Sequence, residues 1–412
     1  MAGAAGSALT GAGGAGGGHS GAAGFPGTGG SNSNAGAGAG GGGAGGSGPG
    51  SAGSSGSGGA IGTGGAAGGN LGGGAGAPVG GSAGTSGTPS GPPIDPALRA
   101  RCTGTNPIAC HFGGEPGNYE VTVVLGGTAA ASTAVQAERS RAMLGAVATA
   151  AGETKRYSFV VNVREKEGEP VQAVAAGTPG LDLYFTGDAT APRLDALGYA
   201  PAREPLVLYV AGDSTVCDQS GSAFGGWAQE LPQFFDHPVA IANYADSGES
   251  SGSFVGSANL FGAINERLKA NDWVLIQFGH NDKETSASTF VANMTRMVTM
   301  VKAKGASPVL VTPIARATFS GSMLTTQHVN NVGANLPELV KQVGRTENVP
   351  VLDLTARTAT WLTELGPNGW QPYFADGTDR THTNHRGAAV IAGFVRDLLR
   401  GANLAVLANR LR

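Results

Sequence analysis

Charge is the first thing missing. Between Met1 and Pro93 there is no lysine, arginine, aspartate or glutamate, and more than half of the chain's 73 glycines fall in that stretch. Large apolar side chains are almost absent from it as well, so burial cannot offset the entropy of ordering so many glycines. Residues 1–93 therefore read as a disordered Gly/Ala/Ser-rich tether. The alternative is a glycine-rich repeat fold, against which no strict period is visible.

Other scarcities narrow the function. A net charge of −3 over 412 residues offers no basic field for nucleic acid or anionic lipid, so no nucleic-acid partner is expected. No apolar run is long enough to span a bilayer, which predicts no membrane insertion. The amino terminus has neither the positive start nor the apolar core of a signal peptide. The long uncharged tether nevertheless suits a secreted or cell-surface protein, and the expectation is an export signal lost to a misplaced start or a truncation. There are three cysteines. Cys102 and Cys110 lie close together in a polar loop and can pair in an oxidising compartment; Cys217 then remains, read as a packed small hydrophobe rather than a second nucleophile. The chain is expected to act as a monomer.

What is present begins with a period of two. Tyr119, Val121, Val123 and Leu125 alternate with more polar or smaller residues, as do Tyr157, Phe159, Val161 and Val163, and Leu181–Phe185 follows a Pro-Gly turn. Short strands between turn signals, with no long helix, predict a small all-β sandwich over residues 94–203. Such a module holds sugar or merely packs, and no aromatic platform decides between them.

From residue 204 to 412 the pattern becomes alternating strands and helices. Apolar runs at Leu206–Ala211, Val239–Tyr244, Trp273–Phe278, Pro308–Thr312 and Val349–Leu354 read as five strands. Helical stretches are expected near Trp227–Phe235, Asn259–Lys269, Phe290–Val301, before Val349 and over Ala389–Leu399. The order predicts an α/β fold with a five-stranded parallel sheet, doubly wound, binding its ligand at the carboxyl edge.

Four strand ends or loops carry chemistry. Gly212-Asp-Ser-Thr215 delivers Ser214, a hydroxyl on a tight exit from a buried strand, followed by backbone N–H groups free to face an anion. Gly248 can bring a bare N–H close to a reacting oxygen, and the Asn281 amide in Gly279-His-Asn-Asp282 is a neutral donor for the same atom. Asp379-Arg-Thr-His382 puts a carboxylate three residues before an imidazole, which lets Asp379 hold one ring nitrogen of His382 while the other faces a hydroxyl. Each has an ordinary alternative as a turn glycine, a loop cap or a capped helix start. Together, at one sheet edge, they point to nucleophilic catalysis.

These blocks, in this order, resemble those of the SGNH (GDSL-like) hydrolases over about Pro205–Leu399. The wording of Asn243–Ser250, Ile276–Asp282 and Thr312–Arg316 is similar to the rhamnogalacturonan acetylesterase branch, some members of which carry an amino-terminal β domain. The resemblance implies a flavodoxin-like three-layer α/β/α fold and a serine esterase that uses no metal and no cofactor. It implies Ser214, His382 and Asp379 as the triad, and Ser214 N–H, Gly248 N–H and the Asn281 side chain as the oxyanion hole. The implied substrate is an acetylated polysaccharide or oligosaccharide, pectic rhamnogalacturonan before acetylated xylan or another glycan or lipid ester. Arg316, Trp227 and Trp370 are candidate sugar contacts, core packing explaining the tryptophans equally well. His280 is a supporting residue without an evident partner. His382 and His385 have the spacing of a metal pair but lack a third ligand.

Two rivals remain. Gly248-Glu-Ser-Ser-Gly252 matches a nucleophile elbow, which would make Ser250 the nucleophile with Asp353 and His382, and His111-Phe-Gly-Gly114 an oxyanion segment. His111 falls in the β segment, outside the repeat that would build such a site. The rival of another class is a non-catalytic carbohydrate-binding surface protein, which the tether and the sandwich favour and the complete set of reactive residue types opposes.

Overall fold

A computed structural model describes residues 91–138, 140–164, 178–219, 223–325, 327–402 and 404–412; the expected tether lies outside the described residues up to residue 90. A short helix α1 (Pro96–Arg99) leads to strands β1 (Ile108–Phe112), β2 (Gly117–Gly126), β3 (Ala131–Ala137), β4 (Arg141–Thr149), β5 (Thr154–Val163), β6 (Leu181–Thr186) and β7 (Leu194–Pro201). The βα half follows with β8 (Leu206–Ala211), β9 (Val239–Asn243), α2 (Ser251–Gly256), α3 (Ala263–Arg267), β10 (Trp273–Gln277), α4 (Ala287–Ala303) and β11 (Ser307–Val311). After a small hairpin, β12 (Phe319–Ser320) and β13 (Met323–Leu324), come α5 (Leu336–Glu347), β14 (Val351–Leu352), α6 (Leu354–Leu365), α7 (His385–Gly401) and α8 (Ala405–Ala408).

Five strands lie parallel in the spatial order β14-β11-β10-β8-β9. Numbered along the chain and read from the β9 edge this is the flavodoxin-type order 2-1-3-4-5. Alternate residues of each strand enter different cores. Leu208, Val210, Leu275 and Val309 pack with Trp361, Ile391 and Val395 from α6 and α7. Val207, Tyr209, Val274 and Ile276 pack with Phe290, Met294, Met297 and Val340 from α4 and α5. With both faces covered, the strands are apolar except near their ends, where buried Asn243 and Gln277 are hydrogen-bonded.

The sheet does not stop at five strands. Val160 of β5 pairs in parallel with Ala240 of β9, and β2 and then β7 continue antiparallel, making an eight-stranded mixed sheet. The expectation of a parallel sheet of five is corrected accordingly. Left alone, β9 would present an unpaired backbone edge, and β5 covers it. A second sheet, β1-β6-β3-β4, shares an apolar core with β2 and β5 through Phe112, Val121, Val135, Phe159, Leu183 and Phe185. Cys102 and Cys110 are joined by a disulfide at its margin.

Two local expectations also change. The stretch near Trp227–Phe235 forms turns and a single 3-10 turn, Pro232–Phe234, instead of a helix, because Pro232 has no N–H to continue one. Helix α6 was not expected. Asp353 caps it by accepting from Ala356 N–H, and several threonines on its turns obscure the apolar period.

Candidate active site

Doubly wound sheets bind ligands outside the carboxyl ends of their strands where the order reverses, here between β8 and β10. Ser214 follows β8, Asn281 follows β10, and the loop before α7 brings Asp379 and His382 over the same edge. Ser214 Oγ lies 2.8 Å from His382 Nε2, and His382 Nδ1 lies 2.8 Å from Asp379 Oδ2. The other carboxylate oxygen, Oδ1, accepts the Thr381 N–H at 2.7 Å and the His382 N–H at 2.9 Å. Asp379 therefore fixes both the ring and the backbone of His382. Burial pushes the Asp379 carboxyl up, but the hydrogen bonds from His382 and Thr381 outweigh it and the net shift is down. An ionised Asp379 favours the proton on Nδ1, which leaves the Nε2 lone pair toward the serine hydroxyl. The Phe224 ring stands edge-on to the imidazole at 5.8 Å.

The loops bearing the expected oxyanion donors are bonded to one another. Asp246 N–H donates to the Gly212 carbonyl at 3.1 Å, linking the loop after β9 to the one before Ser214. Asn281 Nδ2 donates to the Glu249 carbonyl at 3.1 Å, holding the residue after Gly248; a carboxamide has a second N–H to offer. Ser251 Oγ donates to Asp282 Oδ1 at 2.6 Å and its N–H to Oδ2 at 3.1 Å, so the residue after Asn281 anchors the start of α2. Gly248 has φ of 80° and open space where a Cβ would stand. Its backbone conformation, not crowding, calls for glycine.

Residues 210–390 match the GDSL-like Lipase/Acylhydrolase family. Rhamnogalacturonan acetylesterase RhgT of Bacillus subtilis (strain 168) is 32% identical over 213 residues, covering 47% of this chain and 90% of that relative. The chain belongs to this GDSL-like family. The GDSL-like hydrolase is thus a carboxylic ester hydrolase. It is also similar to the probable rhamnogalacturonan acetylesterase YesY of the same organism, 30% identical over 46% of this chain and 89% of that one. The uncharacterized esterase YxiM, again from Bacillus subtilis (strain 168), is 31% identical over 67% of this chain and 70% of that one. That match is longer than the βα half of the chain, so it reaches into the strands before Glu204.

In the GDSL-like hydrolase the residues of the rival elbow are engaged elsewhere. Ser250 caps α2, accepting from Ser253 N–H. Asp353 caps α6 and pairs with Lys341 at 2.7 Å, while His111 pairs with Asp182 at 2.7 Å in the β strands. Neither tryptophan faces the site: Trp227 is buried and donates to Gln277 Oε1 at 2.9 Å, and buried Trp370 packs on Phe374 and donates to the Pro367 carbonyl. His385 Nδ1 lies 2.8 Å from Glu230 Oε1, an engagement that takes its ring away from a pair with His382. Cys217 is buried, its thiol 3.7 Å from the Ser214 carbonyl. Arg316 is half-buried and donates through Nη2 to the His280 carbonyl at 3.1 Å.

Beneath the serine runs a buried chain that residue-by-residue reading missed. Trp227 donates to Gln277, Gln277 Nε2 to Thr215 Oγ1, and Thr215 Oγ1 to Asp213 Oδ1 at 2.7 Å. Asp213 Oδ2 has no hydrogen-bond partner among the described residues. Burial pushes the Asp213 carboxyl up to about 6, against the hydrogen bonds from Thr215. Its position inside the Gly-Asp-Ser motif was the available signal. Between about pH 4 and about pH 6 the unfolded chain has lost this proton and the folded chain keeps it, so stability falls as pH rises across that window. Asp213→Asn is expected to be more stable than the parent at pH 7 by roughly 2–3 kcal/mol, with a smaller fall between pH 4 and 7. Urea melts at the two pH values check this, and parallel pH profiles for the two proteins would refute it.

Proposed function

We propose that the protein removes O-acetyl groups from an acetylated carbohydrate, with pectic rhamnogalacturonan as the substrate and Ser214 as the nucleophile. The observation that carries this reading is the relay from Ser214 Oγ through His382 to Asp379, with 2.8 Å at each step. Ser214 Oγ attacks the acetyl carbonyl carbon while His382 Nε2 takes its proton. The negative oxygen that develops is met by the N–H groups of Ser214 and Gly248 and by the Asn281 side chain. Collapse breaks the bond to the sugar oxygen, which leaves with the proton from His382. Water, deprotonated by the same nitrogen, then attacks the acetyl-enzyme, releases acetate and restores the hydroxyl. The names of RhgT and YesY support the choice of polysaccharide, and the Cys102–Cys110 disulfide supports action outside the cytoplasm.

Acetate release from acetylated rhamnogalacturonan, xylan and other glycans tests the assignment. A clear preference for rhamnogalacturonan is expected. Equal rates on all would remove the pectin assignment and leave the esterase, whereas binding without acetate release would favour a non-catalytic surface protein. For the oxyanion donors, Asn281→Ala is expected to lower kcat by roughly 10²–10³, about 2.7–4 kcal/mol of transition-state stabilisation. An unchanged kcat in a folded variant would remove Asn281 from that role.

A further inference from the structure

Next to the serine relay is a pocket of about 260 Å³ for which the reaction as written has no use. One wall comes from Gly279, His280 and Lys283, the loop that also carries Asn281, and another from Arg316, Gln327 and His328. The pocket is tied to the site on both sides. Arg316 Nη2 donates to the His280 carbonyl, and Ala317 N–H donates to the carbonyl of Arg380, the residue after Asp379, at 2.8 Å.

The lining combines two fixed cations with two imidazoles and, among the described residues, contains no aspartate or glutamate. Asp213 and Asp379 are near enough to favour the Arg316 charge, but neither forms an ion pair with it among the described residues. His280 is 2% exposed and both of its ring nitrogens lack a hydrogen-bond partner. Burial, reinforced by His328 and Arg316, holds its pKa well below the usual histidine value, so the ring is neutral and has one N–H and one lone pair to satisfy. His328, pushed down to about 4 by burial, sits edge-on to it at 4.6 Å and places Nε2 2.6 Å from the Ile314 carbonyl, so its own donor is taken.

A half-buried guanidinium held through Nη2 by one backbone carbonyl has further N–H groups to offer a planar anion. We propose that this pocket binds the carboxylate of a uronate unit in the acetylated chain, with Arg316 and Lys283 supplying the charge. The assignment rests on Ser214 being the nucleophile of a glycan acetylesterase, and it makes the enzyme prefer acidic glycans. A neutral acetylated chain, such as an unsubstituted xylan, would give these groups no counter-charge.

Binding decides the matter separately from hydrolysis. Calorimetry on full-length Ser214→Ala protein at low salt compares trigalacturonate with its methyl ester and with xylotriose. The acid is expected to bind at least tenfold more tightly than either, and 0.5 M NaCl is expected to erase most of that difference. Adding Lys283→Glu, at an exposed position, should abolish or reverse the preference, while Lys283→Arg should keep it. Equal binding of acid and ester, no detectable binding of either, or a preference that survives Lys283→Glu would overturn the pocket assignment. Failure of the parent protein to cleave p-nitrophenyl acetate would instead sink the Ser214 reading, and the acid-to-ester ratio would still decide the pocket.

Discussion

Ser214→Ala is expected to lower kcat/KM on p-nitrophenyl acetate and on acetylated glycans by roughly 10⁴–10⁶, with the fold intact. The size follows from the geometry. The hydroxyl at 2.8 Å from His382 Nε2 is the group in the relay that can form an acyl bond, and alanine leaves nothing to accept the acetyl group. His382→Ala should cost about as much, and the double variant little more than either single one, because the two groups act as a unit. Asp379→Asn should cost somewhat less, roughly 10⁴, through the wrong ring tautomer rather than through a missing atom. It would also weaken two backbone bonds, since Asp379 Oδ1 accepts from Thr381 and His382, so its melting temperature should drop where that of Ser214→Ala does not. Ser250→Ala separates the two serine readings. It removes the cap of α2, a loss of about 0.5–2 kcal/mol of stability, and should leave ester hydrolysis near the parent rate. A Ser214→Ala protein retaining a tenth of the parent activity would defeat the mechanism.

The residues of the candidate site were legible because the motifs that hold them sit at the ends of apolar runs. A run such as Leu206–Ala211, buried on both faces, can only be an inner strand, and whatever follows it emerges at the sheet edge. Gly-Asp-Ser, Gly-His-Asn-Asp and Asp-x-x-His could therefore be assigned to one rim before any contact was known. Periodicity reports how deeply an element is buried, not which edge it joins. Nothing in Thr154–Val163 says that one residue, Val160, will pair with Ala240 and fuse an antiparallel sheet to a parallel one. The pocket beside Arg316 was hidden for a similar reason. His280 and His328 are 48 residues apart in chain number, and their edge-on contact exists only after β10 and β11 have paired. Arg316 itself could be picked out as a candidate sugar contact, but its neighbours could not. The tryptophans were ambiguous because an indole suits a core and a sugar platform equally, and here the core took both.

The same blindness to long-range pairing concealed Arg141, whose replacement should have the largest effect on stability. Arg141 opens β4 and is 1% exposed, yet it lies in a stretch that reads as an ordinary strand. Its Nε donates to Asp218 Oδ2 at 2.7 Å and its Nη1 to the Asn162 carbonyl on β5. Asp218, four residues past Ser214, also accepts from Asn243 Nδ2 at 2.8 Å, and that amide reaches the Val216 carbonyl. The next residue, Gln219, donates to the Ser214 carbonyl at 2.7 Å. A buried ion pair thus fastens the β strands to the loop that carries Ser214. Arg141→Met keeps most of the side-chain volume but removes the nearer counter-charge of the buried Asp218 carboxylate, leaving it the longer pair with Arg164 at 3.9 Å. Breaking a buried pair in this way costs about 3–5 kcal/mol, a large part of the roughly 5–15 kcal/mol that holds a typical domain folded. With Asp218→Asn added, the double variant should lose less than the sum of the two single variants, which a simple loss of packing at Arg141 would not produce. Because Asp218 holds the Asn243 amide that reaches the Val216 carbonyl, two residues past Ser214, kcat of the surviving folded Arg141→Met protein should fall as well, with KM for p-nitrophenyl acetate changing less. Urea melts of the parent, single and double variants measure the coupling. Additive losses would show that the pair is not the fastening, and a parent-like melt for Arg141→Met would show that the β strands hold this loop by other contacts.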